Sequence, residues 1–485
     1  MVYTIWRLSH FCFAFVSSGF LIIASLTGII LSFEPIQDRL SPEYLSNYKE
    51  TPLSEIIQNI SSHCNEIIYL EKTNQGFLSG QIINKENKHE TVYLNPISGK
   101  KIGQIKEKKK IFKFATHLHR SLFLKKNGRI IMGLSSLLLL LISITGSILI
   151  IKRTGSLMKF FGKIDKESFQ QYYHSISGRF FMIPIVIISL SGCILTLHSF
   201  AIIDDDFLSL EHGYISEVSE IRKDSHDFNI FKKTSLSHFK RLEFPFSKHI
   251  NDPYVLTTLY NEYQINQYTG VVFSQKRATI SYLITYWSNV FHTGKLHPIW
   301  SLIICATSIS IIFFMLSGFQ ITYNRFYNKK RLRGRISSNT SEYIILVGSE
   351  NGNTNMHAVE FQKKLLNKGY DVFLTDLNEY KKYPKAKEFI VFTSTFGKGE
   401  APSNANKFIS LFNAINQNQK TILYSIIGFG STNYPDFCKF AIEVESVFKQ
   451  NKNFIEKIPL CKINKQSKEQ INEWLQNWMF EDYTQ

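Results

Sequence analysis

Cysteine is scarce in this chain: six residues among 485, with no CxxC pair. Cys12, Cys193 and Cys305 fall within apolar runs, Cys64 stands alone, and Cys438 and Cys461 lie near the C-terminus. That excludes a disulfide framework, a zinc ribbon and a thioredoxin-type dithiol, and leaves the cysteines as small apolar fillers. Acidic residues are few as well, 39 against 56 Lys and Arg, for a formal net charge of +17. Four stretches carry no Lys, Arg, Asp or Glu at all: residues 11–33, 130–151, 180–203 and 299–323. Each is long enough to cross a hydrocarbon core, which takes roughly 20 apolar residues. The first has no small-x-small cleavage site ahead of Glu34-Pro35 and exceeds a signal-peptide core, so it reads as a retained anchor.

The positive charge sits beside these runs and not in a nucleic-acid-binding stripe. Lys152, Arg153, Lys159 and Lys163 follow the second run, and Arg325, Lys329, Lys330, Arg331, Arg333 and Arg335 follow the fourth. This excludes nucleic acid as the partner and points to lipid. The positive-inside rule places these flanks, both termini and everything after residue 325 in the cytoplasm, the arrangement of a multi-pass bacterial inner-membrane protein. Lys125, Lys126, Arg129 and the lysine-rich stretch 100–110 fall on the opposite side, as long exported loops tolerate.

The membrane runs come in a duplicated pair. His10 precedes the first run, with Thr27-Gly28 seventeen residues on; His174 precedes the third, with Ser191-Gly192 again seventeen residues on. His119 precedes the second run, with Thr145-Gly146 26 residues later, and His292 the fourth, with Ser317-Gly318 25 residues later. Four histidines at equivalent places of a four-helix bundle predict two pairs of haem ligands, two haems b in all, one near each face. His117, His198 and His297 compete for these roles, and an interfacial or surface position is the bland alternative for any one histidine. The small Thr/Ser-Gly pairs read as close-packing sites. His63, His89, His212 and His357 read as surface positions.

The long loops repeat too. Residues 34–128 open with helical spacing at Leu53, Ile56, Ile57 and Ile60 and continue as short strands, with a turn at Asn95-Pro96-Ile97-Ser98-Gly99; residues 204–289 carry a matching Asn266-Gln267-Tyr268-Thr269-Gly270. The string Val92-Tyr93-Leu94-Asn95-Pro96-Ile97-Ser98-Gly99-Lys100, followed by Leu118-His119-Arg120-Ser121-Leu122-Phe123, resembles the PepSY domain joined to its associated transmembrane helices. Asn266 to Gly270, followed by Phe291-His292-Thr293-Gly294-Lys295-Leu296, resembles the same family. Members of that family include inner-membrane reductases of iron–siderophore complexes, and the resemblance implies haem between the helices.

Beyond residue 340 apolar strands alternate with helical stretches, which predicts a doubly wound parallel sheet. Three polar loops follow its strands: Gly348-Ser349-Glu350-Asn351-Gly352-Asn353-Thr354, then Thr393-Ser394-Thr395-Phe396-Gly397-Lys398-Gly399, then Gly428-Phe429-Gly430 running on through Asn433, Tyr434 and Phe437. Ligands bind outside the carboxyl ends of parallel strands, so the three loops converge on one site. Together they resemble the flavodoxin-like FMN domain of cytochrome P450 reductases and sulfite reductase flavoproteins. The resemblance implies that Ser349, Asn351, Asn353 and Thr354 hold the FMN phosphate and that Phe396 and Tyr434 flank the isoalloxazine. No dinucleotide fingerprint follows the third loop, which implies a separate NAD(P)H-dependent flavin or ferredoxin reductase as electron donor. Residues 341–485 hold 17 lysines against 16 acids, so a large acidic docking face is excluded.

The organisation expected is thus four transmembrane helices at 1–33, 130–152, 177–203 and 291–324, with PepSY-like periplasmic loops at 34–129 and 204–290. A cytoplasmic loop at 153–176, a basic linker at 325–340 and a flavodoxin-like α/β domain at 341–485 complete it. The function expected is an oxidoreductase that passes electrons from cytoplasmic FMN through two haems to a periplasmic ferric chelate. The alternatives are a PepSY-type binding or regulatory membrane protein, or a transmembrane reductase of sulfite, a quinone or methionine sulfoxide.

Overall fold

The computed structural model describes the chain except residues 1, 42–49, 74–75, 106, 155, 163, 165, 167–168, 204–206, 213–222, 331–336, 351, 397–398, 416–420, 434–435 and 484–485, and gives only the backbone at 2–4, 207–212, 324–330 and 480–483. Lys163, Arg331, Arg333, Arg335, Asn351, Gly397, Lys398 and Tyr434 therefore lie outside what is described.

Along the first two thirds of the chain run α1 (Val2–Ser32), α2 (Glu34–Arg39), α3 (Leu53–Ser61), strands β1 (Glu66–Lys72), β2 (Leu78–Ile83), β3 (His89–Leu94) and β4 (Lys101–Gln104), α4 (Lys110–Ser121), α5 (Lys125–Thr154) and α6 (Phe169–Ser199). Then come β5 (Phe207–His212), α7 (Asn229–Lys233), β6 (Phe239–Glu243), β7 (Tyr254–Thr258), β8 (Asn261–Ile265), β9 (Val272–Ala278), α8 (Ile280–His292) and α9 (Pro298–Lys330). Helices α1, α5, α6 and α9 have the length and composition to cross a membrane. In lipid every backbone group must be satisfied within the segment, and the hydroxyls in these helices do the same: Thr27, Thr145, Ser191 and Ser317 each donate to the carbonyl four residues back at 2.7–2.8 Å.

Several span boundaries differ from the sequence reading, two of them by seven residues or more. The fourth span begins at Pro298 and not at 291, because Gly294 turns the chain at φ +77° between α8 and α9. α6 begins at Phe169, eight residues ahead of the expected 177. His119 and His292 accordingly sit on the short helices α4 and α8, ahead of the spans and not within them.

The chain divides into two compact units, 1–16 with 141–182 and 312–485, and 17–140 with 183–311. The second contains a nine-stranded antiparallel sheet in the order β4-β3-β2-β1-β6-β7-β8-β9-β5. The two long loops, expected as separate domains, form one sheet joined at β1–β6, where Leu70 pairs with Leu242. Leu53, Ile56 and Ile60 of α3 and Phe228 and Phe231 around α7 fill one shared core, all 0–1% exposed. The two Asn-x-x-x-Gly turns match: Asn95 Oδ1 accepts from Ile97 and Ser98 N–H, and Asn266 Oδ1 from Tyr268 and Thr269 N–H. Gly99 and Gly270 close them at φ +68° and +70°. A Cβ at Gly270 would run into the buried Phe228 ring, so Gly270→Ala is expected to cost about 2–3 kcal/mol of stability, read as a lower urea midpoint.

In the first unit β10 (Tyr343–Gly348), α10 (Asn353–Asn367), β11 (Val372–Asp376), β12 (Glu388–Ser394), α11 (Phe408–Ala414), β13 (Ile422–Gly430), α12 (Lys439–Lys449), β14 (Phe454–Asn464) and α13 (Lys468–Tyr483) form a parallel sheet in the order β11-β10-β12-β13-β14. Alternate residues of each strand face opposite layers: Ile344 and Leu346 pack with Phe412 and Phe448 of α11 and α12, Ile345 and Val347 with Phe361 and Trp474 of α10 and α13. This is the doubly wound sheet the alternation predicts. Glu388 is buried at the start of β12, accepting from Ser425 Oγ and Trp478 Nε1 at 2.7 Å and from Lys457 Nζ at 3.1 Å. Burial pushes its carboxyl up, and Lys457 opposes that.

Candidate functional sites

Each of the two units holds one histidine pair. In the first unit the rings of His10 on α1 and His174 on α6 lie edge to face, with centroids 6.5 Å apart and planes at 79°. His10 Nδ1 lies 3.1 Å from the Ile142 carbonyl and 3.0 Å from Thr145 Oγ1, and His174 Nδ1 lies 2.8 Å from Ser317 Oγ. In the second unit the rings of His119 and His292 lie 6.0 Å apart, tilted by 60°. His119 Nδ1 meets Thr27 Oγ1 at 2.8 Å and the Ala24 carbonyl at 3.0 Å; His292 Nδ1 meets Ser191 Oγ at 3.0 Å and the Ile188 carbonyl at 3.1 Å.

A carbonyl or hydroxyl on Nδ1 fixes the ring's orientation and leaves Nε2 for a ligand. A Cβ added at Gly146, Gly192, Gly318 or Gly28 would stand 3.1, 3.3, 3.8 and 3.9 Å from the Cε1 atoms of His10, His292, His174 and His119. The Thr/Ser-Gly dipeptides therefore have a role the sequence reading missed. They are the seats of the histidines: the hydroxyl holds the ring in all four, and at Gly146 and Gly192 the missing side chain also leaves the ring its room. The constant seventeen-residue spacing on α1 and α6 was the available signal, but each hydroxyl serves a histidine on another helix, which only the fold reveals. His119 lies outside the four spans, and desolvation among the helices, then the proximity of His292, push its imidazole down to about 4. His117 and His297 are exposed, and His297 Nδ1 accepts from the Ile299 N–H.

The fit to haem can be tested on these distances. Two imidazoles bound to one iron from opposite faces, each at about 2.0 Å with its ring centre about 1.2 Å beyond the nitrogen, have centroids roughly 6.4 Å apart. The two observed centroid distances, 6.5 and 6.0 Å, lie close to that separation. Among the described residues no group of three or more His, Cys, Asp or Glu converges to hold a bare metal ion. Two imidazoles suffice where a porphyrin supplies four further nitrogens.

The second kind of site lies at the carboxyl edge of the parallel sheet. Asn404 accepts from Ser349 N–H at 2.8 Å and donates to the Val347 carbonyl, and Ser349 Oγ accepts from Gly352 N–H at 3.0 Å, which shapes the first loop. Phe396 and Glu400 exchange backbone hydrogen bonds to close the second, and Thr395 N–H donates to the Phe429 carbonyl at 3.0 Å. Ser431 Oγ accepts from Asn433 N–H at 3.2 Å in the third. A cavity of about 760 Å³ opens between them, lined by Ser349, Glu350, Asn353 and Thr354, by Ser394, Thr395 and Phe396, and by Gly430 and Asn433. Its volume suits a drug-sized ligand such as FMN, and the N-terminus of α10, with Asn353 and Thr354, offers N–H groups to a phosphate.

Not every predicted residue reaches this cavity. Asn351, Gly397 and Tyr434 fall outside the described residues. Thr393 is buried beneath the loops, Gly428 packs against Ala441, and Phe437 packs on the core; neither these nor Gly352 and Gly399 line the space. Asn404 and the wall residues Lys465 and Gln466 escaped the sequence reading because they lie outside the glycine-bearing loops. His357, read as a surface residue, is half-buried and stacked on Phe429 at 5.5 Å.

Four apolar helices and a flavodoxin-type sheet define a membrane protein with a flavin-binding domain. Residues 7–325 match the PepSY-associated TM region and residues 345–478 match flavodoxin. The chain belongs to the PepSY-associated transmembrane family and carries a C-terminal flavodoxin domain, which supports FMN binding and an oxidoreductase function. It is 30% identical over 109 residues to the sulfite reductase [NADPH] flavoprotein alpha-component of Mannheimia succiniciproducens, covering 22% of this chain and 18% of that protein. It is 26% identical over 126 residues to NADPH oxidoreductase A of Dictyostelium discoideum, covering 25% and 20%. The similarity thus spans a fifth or less of those two relatives. A solved Streptococcus pneumoniae TIGR4 flavodoxin matches at 25% identity and a TM-score of 0.27, over 30% of this chain and 99% of that one.

Proposed function

We propose that this protein is a bacterial inner-membrane oxidoreductase that takes electrons at cytoplasmic FMN and delivers them through two haems b to a periplasmic ferric chelate. The observation that carries the reading is the pair of Nδ1-tethered histidines in each unit, with ring centres 6.5 and 6.0 Å apart, close to the spacing of two imidazoles on one iron. FMN, when bound, supplies a centre that converts two-electron donation into single electrons, and haem a one-electron couple. The chain's own residues do the rest. Thr145, Ser317, Thr27 and Ser191 hold the imidazoles in place, and the apolar helices exclude water around them.

On this reading the donor is a separate NAD(P)H-dependent flavin or ferredoxin reductase. Reducing Fe(III) to Fe(II) weakens the hard oxygen ligation of a chelator and so releases the metal. Cofactor analysis of the purified full-length protein tests the whole: two haems b and one FMN per chain are expected, and a spectrum without a Soret band would refute the electron conduit. Thr354→Ala combined with Phe396→Ala is expected to remove most of the FMN, read by flavin release and chromatography, while leaving the haem. Membrane vesicles that carry both cofactors yet leave a ferric chelate unreduced would point to another acceptor, such as sulfite, a quinone or methionine sulfoxide.

A further inference from the structure

The flavin cavity has a wall that no flavodoxin loop supplies. Beside the three loops it is lined by Phe161 and Ile164 of the segment joining α5 to α6, and by Tyr172, Ile176, Arg179 and Phe180 of α6 itself. The four α6 residues are spaced i, i+4, i+7 and i+8, so they form one face of the helix. His174 is two residues after Tyr172, about 200° around the same turn, and its ring points the other way, to His10 and Ser317. One stretch of α6 therefore presents its front to the cavity and its back to the histidine pair. Two further contacts hold this arrangement. Arg7, one turn before His10 on α1, forms an ion pair with Glu350 of the first loop. Arg179, only 4% exposed, donates to the Gly162 carbonyl at 2.6 Å, with its guanidinium 5.8 Å from the centre of the Phe160 ring.

We propose that this α6 face is part of the FMN-binding site, an inference that rests on the FMN reading above. Tyr172, Ile176 and Phe161 cover the flavin ring system from the membrane side, and Arg179 places a fixed cation against an anionic ligand whose loops are built chiefly from Ser, Thr and Asn. The flavin is then held between the sheet and the bundle, only a helix thickness, about 10 Å, from the His10–His174 pair. The domain has no need to undock to hand electrons on. Arg7 and Glu350 act as positioning residues that keep the first loop against α1.

The test is FMN affinity in the full-length protein, stripped of flavin and retitrated by flavin fluorescence, with iodide quenching as a second readout. Arg179→Gln and Tyr172→Ala are each expected to weaken FMN binding at least tenfold, and Tyr172→Ala to raise the quenching of the flavin that remains. Arg179 is buried and its loss endangers the local fold. The half-buried Tyr172 ring carries less of that risk, and monodisperse elution checks both proteins. If the wild type binds FMN and both variants bind it equally well with unchanged quenching, the α6 wall is refuted while the FMN site stands. A wild-type protein that takes up no FMN would overturn the FMN reading itself, and the wall with it.

Discussion

Replacing His10 with alanine is expected to remove one of two haems, halving the haem b content per chain while the other pair, His119 and His292, keeps its own. The cause is geometric. A haem held between His10 and His174 would lose one of its two protein ligands, and the other histidine of that unit, His357, is stacked on Phe429. The equivalent change at His119 should spare the His10–His174 site in the same way, and the double variant His10→Ala/His119→Ala should carry no low-spin haem at all. Reduced-minus-oxidised spectra and pyridine haemochrome assays measure this directly. Full haem content in all the variants would refute the assignment. Thr145→Val supplies a graded companion. It keeps the shape but removes the hydroxyl from His10 Nδ1, and is expected to shift the midpoint potential of one haem and leave the haem count unchanged.

The second large effect concerns stability. Lys457→Met removes the cation that faces Glu388 in the interior of the flavodoxin domain, where the two side chains are 1% and 2% exposed. Breaking one partner of a buried pair leaves an uncompensated charge and is expected to cost about 3–5 kcal/mol, a large share of the stability of a domain this size. Glu388 retains its bonds from Ser425 and Trp478, so the loss should fall toward the lower end. Denaturant titration followed by Trp478 fluorescence would read it. The double change Glu388→Gln/Lys457→Met should recover part of the loss, because an amide can keep the Ser425 and Trp478 contacts without a buried charge; a double variant less stable than the single one would refute this account.

The fold was legible where one physical cause dominated. The charge-free runs specify membrane helices whatever their surroundings, and the alternation after residue 340 specifies a parallel sheet. The Asn95–Gly99 and Asn266–Gly270 turns are local chemistry, an Asx side chain plus a glycine at positive φ, and both form as spelled. What escaped depended on contacts between distant segments. Leu70 and Leu242 are 172 positions apart in sequence, and neither strand announces the other, so two loops read as separate domains form one sheet. Thr27 and Ser317 read as packing residues because their partners, His119 and His174, lie on other helices. The α6 wall of the cavity was invisible for the same reason: Tyr172 and Arg179 carry no flavin signature and gain one only from the loops they face.

The β1–β6 seam has a further implication. Two antiparallel strands meeting residue for residue, Tyr69 with Glu243 and Glu71 with Arg241 on either side of Leu70 and Leu242, are what an isologous contact between identical subunits looks like. Each half contributes the first strand of its own meander to this seam, and each contributes one histidine to each facing pair. The chain joins in one polypeptide what two copies of a shorter one would supply. A half-length polypeptide bearing one meander and two spans would, as two copies, carry a full set of four histidines, and joining the copies lets each half hold residues the other lacks.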